Sequence, residues 1–368
     1  MKIDPRIYSP YKLLSHPDRL NSLNEKGYSP PVFIDLDLTN KCNNKCPLCV
    51  SSLISQKKDD TTLSLANAKD LISQLSEFGA KAITFAGGGD PSCHPDLEEI
   101  IGFVKSKVMD VAVFTNAYEL SERVIESIVK NCTWARISLD ADGPEIYKRT
   151  HGMDEIAFNQ VLENIGRIVE ERKYTDSKIV LGACYLVGMH TVNGMYNAAK
   201  LCKGLGLDYI RFRPFFNWEN RMDVLKDKSQ LLTEIERCKN LESGDFSISY
   251  PKYRCEEKKP RIFSQCYVPH FMASITADLK VYPCCVFKNN EEYCLGDLKK
   301  SSFQEMWTSE RRKKVHELVD LKKCPNPCQF EKHGELLWAL KTNQLYDGMN
   351  LLDMINSVNE PIPHCNFL

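Results

Sequence analysis

The sequence predicts an α/β protein built on a parallel sheet and extended by a small cysteine-organised domain. Three observations carry this expectation. Between residues 32 and 215, six short β-branched or aromatic runs each lead into a polar or glycine-rich loop and then, except for the last, into a helical pattern. Residues 263–330 are rich in cysteine and short of long periodic segments. The chain of 368 residues has room for one large core and a smaller companion.

Val32–Leu38 is the first strand, and Leu65, Ala68, Leu71, Ile72, Leu75 and Phe78 follow at helical spacing, with Gly79 where a helix stops. Ala82–Phe85 is the second strand, followed by a helix after Asp96. Val111–Phe114 is the third, with a helix over 121–130. Trp134–Leu139 and a helix over 155–171 come next, then Ile179–Val187 and a helix over 191–204. Tyr209–Arg213 is the sixth strand. Such alternation implies parallel strands joined by right-handed crossovers. An open doubly wound sheet and a partly closed barrel both satisfy it, and both put chemistry at the carboxyl ends of the strands. The chain therefore divides into an extension (1–31), the α/β domain (32–215), a charged bridge (216–262), the cysteine-rich domain (263–330) and a C-terminal helix and tail (331–368), with the helix over 335–341.

Hydrophobic residues at 43% and charged residues at 26% describe an ordinary globular chain. A net charge of −1 gives no bulk electrostatic argument for a nucleic-acid or membrane partner. The longest non-polar run, Ile179–Met189, is of strand length, and the N-terminus lacks the apolar run of a signal peptide. The expectation is a cytoplasmic protein, where sixteen cysteines are not a disulfide framework.

Spacing sorts those cysteines. Cys42, Cys46 and Cys49 form C-x3-C-x2-C directly after the first strand. A structural zinc site wants four ligands, and this loop offers three with no histidine close by. Three thiolates on a compact loop suit a four-iron cluster with one iron left open.

This loop resembles that of the radical S-adenosylmethionine (SAM) superfamily. The resemblance, over about residues 30–330, implies a partial (β/α)6 TIM-like barrel rather than the doubly wound sheet. It implies a [4Fe–4S] cluster on Cys42, Cys46 and Cys49, whose open iron binds SAM and whose reduction yields a hydrogen-abstracting 5′-deoxyadenosyl radical. Ala86-Gly87-Gly88-Gly89-Asp90-Pro91 resembles the family's Gly-Gly-Glu-Pro loop, which receives the SAM amino group, with Asp90 in place of the usual glutamate. Ser138 and Asp140 alternate onto one face where the family has groups near the SAM ribose and methionyl part. Arg149 and His151, before Gly152, share a stretch where relatives carry an arginine toward the SAM carboxylate.

The pattern of Cys266, Cys284, Gly296-Asp297-Leu298, Trp307, Cys324 and Cys328 resembles the SPASM/twitch extension. It implies one auxiliary [4Fe–4S] cluster on Cys266, Cys284, Cys324 and Cys328, with Cys285 a rival to Cys284. Leu279 stands where the family has a glycine. Zinc on the same four thiolates is the alternative.

The function implied is hydrogen abstraction from a small polar substrate of sugar or aminocyclitol type, ending in dehydrogenation or epimerisation, with electrons from an external donor such as flavodoxin or ferredoxin. Modification of a ribosomally made peptide or a protein side chain is the alternative substrate class. A non-catalytic iron–sulfur or zinc protein is the alternative of another kind. Cys184 on the fifth strand and Cys93 are candidate hydrogen-atom donors. Arg213 is a candidate for binding a carboxylate or phosphate. Asn217, Trp218 and Glu219 lie within reach of the same mouth.

Overall fold

The computed structural model describes residues 4–49, 59–215, 225, 228–255, 260–344, 349, 354, 358–360 and 362–368. Asn217, Trp218 and Glu219 lie outside them. The strands are β1 Phe33–Leu36, β2 Ala82–Phe85, β3 Asp110–Thr115, β4 Trp134–Ser138, β5 Val180–Val187, β6 Tyr209–Pro214, β7 Ser247–Ser249, β8 Met272–Ile275, β9 Lys280–Tyr282 and β10 Gly296–Asp297. Among the described residues they form one sheet in the order β10-β9-β8-β1-β2-β3-β4-β5-β6-β7. β1 to β7 are parallel neighbours in chain order. A doubly wound sheet reverses direction at a switch point. This one never does between β1 and β7, so it has the winding of a barrel, left open between its two edges.

The helices behind the strands follow from the apolar spacing. The helix Leu65–Phe78 buries Ala68, Leu71, Ile72 and Leu75, and the Ser64 side chain caps it by accepting from the Asn67 N–H. Glu122–Asn131 and Glu155–Tyr174 repeat the pattern, capped by Ser121 and Asp154. β1 and β2 are buried along their whole length, as strands covered on both faces must be. None of the described helices is long and apolar enough to cross a membrane.

Three features depart from the sequence reading. The bridge contributes β7, which extends the parallel sheet beyond β6. The helix after Pro144 (Pro144–His151) begins in a stretch whose Asp and Gly read as loop. The cysteine-rich segment also joins the main sheet: β8 pairs in parallel with β1, Phe33 opposite Met272 and Leu36 opposite Ile275, and the β9 and β10 strands follow antiparallel. β8 has no helix-periodic partner in sequence, so its pairing with a strand more than two hundred residues earlier leaves no local signal.

Trp307 ties this segment to the N-terminal part. It is fully buried, its Nε1–H donates to the Ser29 carbonyl at 2.7 Å, and the Arg312 guanidinium lies 4.1 Å above its ring. Phe303 packs edge-on against Phe78 at 5.7 Å, and its N–H donates to Gln74 Oε1. Phe367 sits against Phe33 and Trp134, the first residues of β1 and β4, while Lys12 Nζ donates to the Phe367 carbonyl. Replacing Trp307 by Phe removes one donor and leaves the Ser29 carbonyl without its partner. Chemical denaturation should show Trp307→Phe less stable by about 1–3 kcal/mol.

Candidate active site

The three thiols of the first loop leave the end of β1 on a backbone held from two sides. Gly89 N–H donates to the Thr39 carbonyl at 2.7 Å, and Asp90 N–H to the Lys41 carbonyl at 2.9 Å. On the other side Lys45 N–H donates to the His151 carbonyl at 2.9 Å, and Asn116 Nδ2 to Asn43 Oδ1 at 2.8 Å. The approach is so close that side chains do not fit. A β-carbon on Gly89 would collide with the Lys41 carbonyl, and one on Gly152 (φ +66°) would lie 2.5 Å from the Lys45 carbonyl.

The same close packing accounts for the run of Gly87, Gly88 and Gly89. They line the cavity, but a β-carbon on Gly87 would strike the Asp37 side chain, and one on Gly88 (φ +73°) would lie 2.6 Å from the Thr39 carbonyl. The space their missing side chains leave is taken by the chain itself. Asp90 is likewise engaged at home. Its Oδ1 accepts from Ser92 N–H and Thr115 Oγ1 at 2.9 Å each, and its Oδ2 from Asn116 N–H at 2.6 Å. It locks the end of β3 to the glycine loop.

Burial pushes the Cys42 thiol up to about 12, with Asp90, Cys93 and Cys49 adding negative neighbours. Cys46 is raised further by burial and by Cys49 and Cys42. Thiols raised in this way need a cationic body to hold them as thiolates. Among the described residues no three His, Cys, Asp or Glu side chains close on one point as a single ion requires. The donor set fits a polynuclear cluster whose corners each take one thiolate.

Ser138 and Asp140 both line the cavity, as alternation predicts. Asp140 sits at φ +45° and accepts from Leu186 N–H at 2.6 Å; burial lifts its carboxyl to about 7 against the pull of that hydrogen bond and of Arg213. Of the two candidates from the following helix, His151 lines the cavity and Arg149 is not among its lining residues. Arg149 is exposed and bonds His190 Nδ1 at 3.2 Å. His151 is buried against Tyr147 and bonds the Ser138 carbonyl and Thr150 Oγ1, and burial lowers it to about 4, so the ring is neutral. It braces the loop rather than presenting a charge.

The second thiol set is drawn from distant parts of the cysteine-rich segment. Cys284 is buried and Cys266 half-buried, each feels Cys324 and Cys328, and all four are raised by burial. Arg261 builds the support for this set. It pairs with Glu331 at 2.8 Å and donates to the carbonyls of Leu321 and Pro325, and Glu331 Oε2 also accepts from Cys328 N–H. Leu279 does adopt the left-handed conformation, φ +68°, that its glycine-favouring position demands. Cys285 turns elsewhere: it lines the barrel cavity, accepts from Gln329 Nε2 at 3.0 Å and feels Asp35 and Lys288 before Cys328. Cys284 therefore belongs with the other three thiols.

The cavity beside the first thiol loop has a volume of about 1360 Å³ and runs through the barrel from that loop, past Cys285 and Gln329, to Phe367. Cys184 is buried in β5 and is not among the lining residues, although it feels Asp140 and Arg213, which are. Three residues that carried no sequence signal are in the lining. Lys288 reaches back to β1, 2.9 Å from Asp35 Oδ2 and 2.7 Å from Asp37 Oδ1. Burial raises Asp37, and the two carboxylates hold Lys288 firmly protonated against its burial. Across the cavity, Arg213 donates to Gln329 Oε1 at 3.4 Å.

This geometry agrees with what the chain resembles. Residues 36–207 match the radical SAM superfamily and residues 266–329 the iron–sulfur cluster-binding SPASM domain. The chain is a radical SAM protein of SPASM type, and its cofactors are a [4Fe–4S] cluster with SAM and an auxiliary iron–sulfur cluster. Mycofactocin maturase from Mycobacterium ulcerans is 28% identical over 194 residues, 52% of this chain and 50% of that one. The chain thus spans about half the length of that relative. PqqA peptide cyclase from Gluconobacter oxydans is 22% identical over 338 residues, 84% of this chain and 85% of that protein. Streptococcus suis SuiB, in its structure with S-adenosylmethionine, shares the fold at TM-score 0.65 and 11% identity, covering 82% of this chain and 71% of that one.

Spectroscopy can separate the two adjacent cysteines. In protein lacking Cys42, Cys46 and Cys49, Cys284→Ser should abolish the remaining iron–sulfur signal, and Cys285→Ser should retain it.

Proposed function

We propose that the chain abstracts a hydrogen atom from a small polar substrate, of sugar or aminocyclitol type, and dehydrogenates it. The observation that carries this reading is the one cavity lined at one end by the first thiol loop and at its wall by Cys285, Lys288 and two carboxylates. A [4Fe–4S] cluster on Cys42, Cys46 and Cys49 carrying SAM would supply the 5′-deoxyadenosyl radical, and an auxiliary cluster on Cys266, Cys284, Cys324 and Cys328 a one-electron acceptor.

The chain's own residues supply the rest. Asp35 uses one carboxylate oxygen on Lys288 and on Ser274 Oγ at 3.1 Å, and its other oxygen is available to take the proton of a substrate hydroxyl or amine. Lys288 pairs with Asp35 and Asp37 and holds the two side chains in place through that proton transfer. Tyr8, Lys12 and Phe367 line the inner end of the cavity, where the N-terminal segment and the tail pack into it. Such a lumen suits a compact molecule. An external one-electron donor of flavodoxin or ferredoxin type would start the cycle.

Modification of a peptide is the second reading, favoured by the coverage shared with the PqqA peptide cyclase. It differs in what must enter the lumen: one side chain instead of a whole molecule.

The test is anaerobic reconstitution with reductant and SAM. The parent protein should form 5′-deoxyadenosine, and Cys46→Ala should form none. With substrate present, Asp35→Asn should still release 5′-deoxyadenosine while oxidised product falls by about 10²–10⁴-fold. Undiminished 5′-deoxyadenosine from Cys46→Ala would overturn the site assignment. Undiminished product from Asp35→Asn would remove the proposed proton acceptor.

A further inference from the structure

The side of the cavity opposite the acidic pair is basic. Arg211 and Arg213 alternate onto the inner face of β6, and Arg254, on the short helix Lys252–Cys255 beside β6, adds a third guanidinium to the same lining. Among the described residues the contacts of the first two are with neutral groups: Arg211 donates to Ser249 Oγ at 3.3 Å and lies 3.8 Å over the Tyr8 ring, and Arg213 donates to Gln329 Oε1 at 3.4 Å. Asp140 is the carboxyl group that feels Arg213, and it is bound to Leu186 N–H. Burial and the neighbouring Arg213 and Arg211 push Arg254 down to about 9.

The basic character continues inward. Lys12 is buried, feels Arg211 and Arg136, and has the Phe367 carbonyl as its partner. Beside it His333, 7% exposed, lines the same cavity with neither ring nitrogen hydrogen-bonded. Buried cations among neutral partners are costly, and so is a buried ring with both nitrogens unsatisfied. An anionic ligand relieves both.

The charge count selects the anion. Two guanidiniums with neutral partners carry two positive charges, so a single carboxylate leaves one unmatched, whereas a phosphate ester or diphosphate brings two or more negative charges and the oxygens to accept several N–H bonds. We propose that Arg211, Arg213 and Arg254 form a subsite for a phosphate group on the substrate, which narrows the small polar substrate to a phosphorylated one. This rests on the reading of the cavity as the substrate site. It assigns the guanidiniums to binding, with no part in the hydrogen or proton transfers.

Calorimetry of the anaerobically reconstituted protein with inorganic pyrophosphate, phosphate and acetate tests it. Pyrophosphate should bind, with acetate weaker by about tenfold or more. Arg254→Gln and Arg213→Gln should each weaken pyrophosphate by about tenfold or more, with iron content and circular dichroism matching the parent. Arg213 is half-exposed and serves should the buried Arg254 variant fail to fold. Acetate binding as tightly as pyrophosphate, no pyrophosphate binding by the parent, or binding indifferent to a folded variant would each overturn the subsite. The parent's 5′-deoxyadenosine formation reads the underlying radical chemistry separately, so failure of one leaves the other standing.

Discussion

The parallel pairing of β8 with β1 is the constraint on which the rest of the molecule depends. β1 leads into the first thiol loop, and β8 leads through its hairpin to Cys284, Cys285 and Lys288. Backbone hydrogen bonds between these two strands therefore fix the first thiol loop, Cys285 and Lys288 against one cavity, with Cys284 next to Cys285 in the chain. Lys288 closes the same link with side chains, its ammonium shared by two carboxylates of the strand that carries the first loop. Breaking a buried charge cluster of this kind strands the remaining charges, so the register of β8 on β1 is specified electrostatically as well as by packing.

The acidic pair and the guanidiniums occupy strands five places apart in the sheet, with Cys285 and Gln329 between them. A cavity with opposite charge on two walls has a field across it that water-excluded surroundings do little to screen. A substrate with an anionic end and a hydroxyl or amine end enters such a field in one orientation. Orientation matters for hydrogen abstraction because the reacting carbon must lie in contact with the abstracting centre, and a small displacement costs heavily in rate.

Much of this was legible in the sequence, and the boundary of legibility is physical. Strands and helices followed from local spacing, and the helix predicted from Leu65 to Phe78 occupies those residues. The C-x3-C-x2-C loop was legible because its three thiols are neighbours in the chain. What escaped depends on contacts between distant segments. The choice of Cys284 over Cys285 rests on which way each side chain turns, and adjacent residues in a bend have no spacing signal to tell them apart. Lys288 reads as a surface lysine until β8 brings it to Asp35 and Asp37. Arg261 and Glu331 are seventy positions apart and meet only once the loop through Cys324 and Cys328 is folded.

The glycine loop shows how much of a motif's work lies within the chain itself. Glycines at the functional end of a strand signal close backbone approach, and that inference stands. The approaching partner, though, is the cysteine loop itself: Gly88 and Gly89 meet Thr39 and Lys41 through their backbones. Burial keeps Cys42 and Cys46 as neutral thiols until a metal cluster is in place, so no metal–ligand bond shapes the loop before then. Hydrogen bonds from Gly89, Asp90 and Lys45, with Asp90 bracing the end of β3, hold it without calling on any thiol. The chain therefore preorganises the loop before any metal arrives, and the glycines are what permit two backbones to lie close enough to do so.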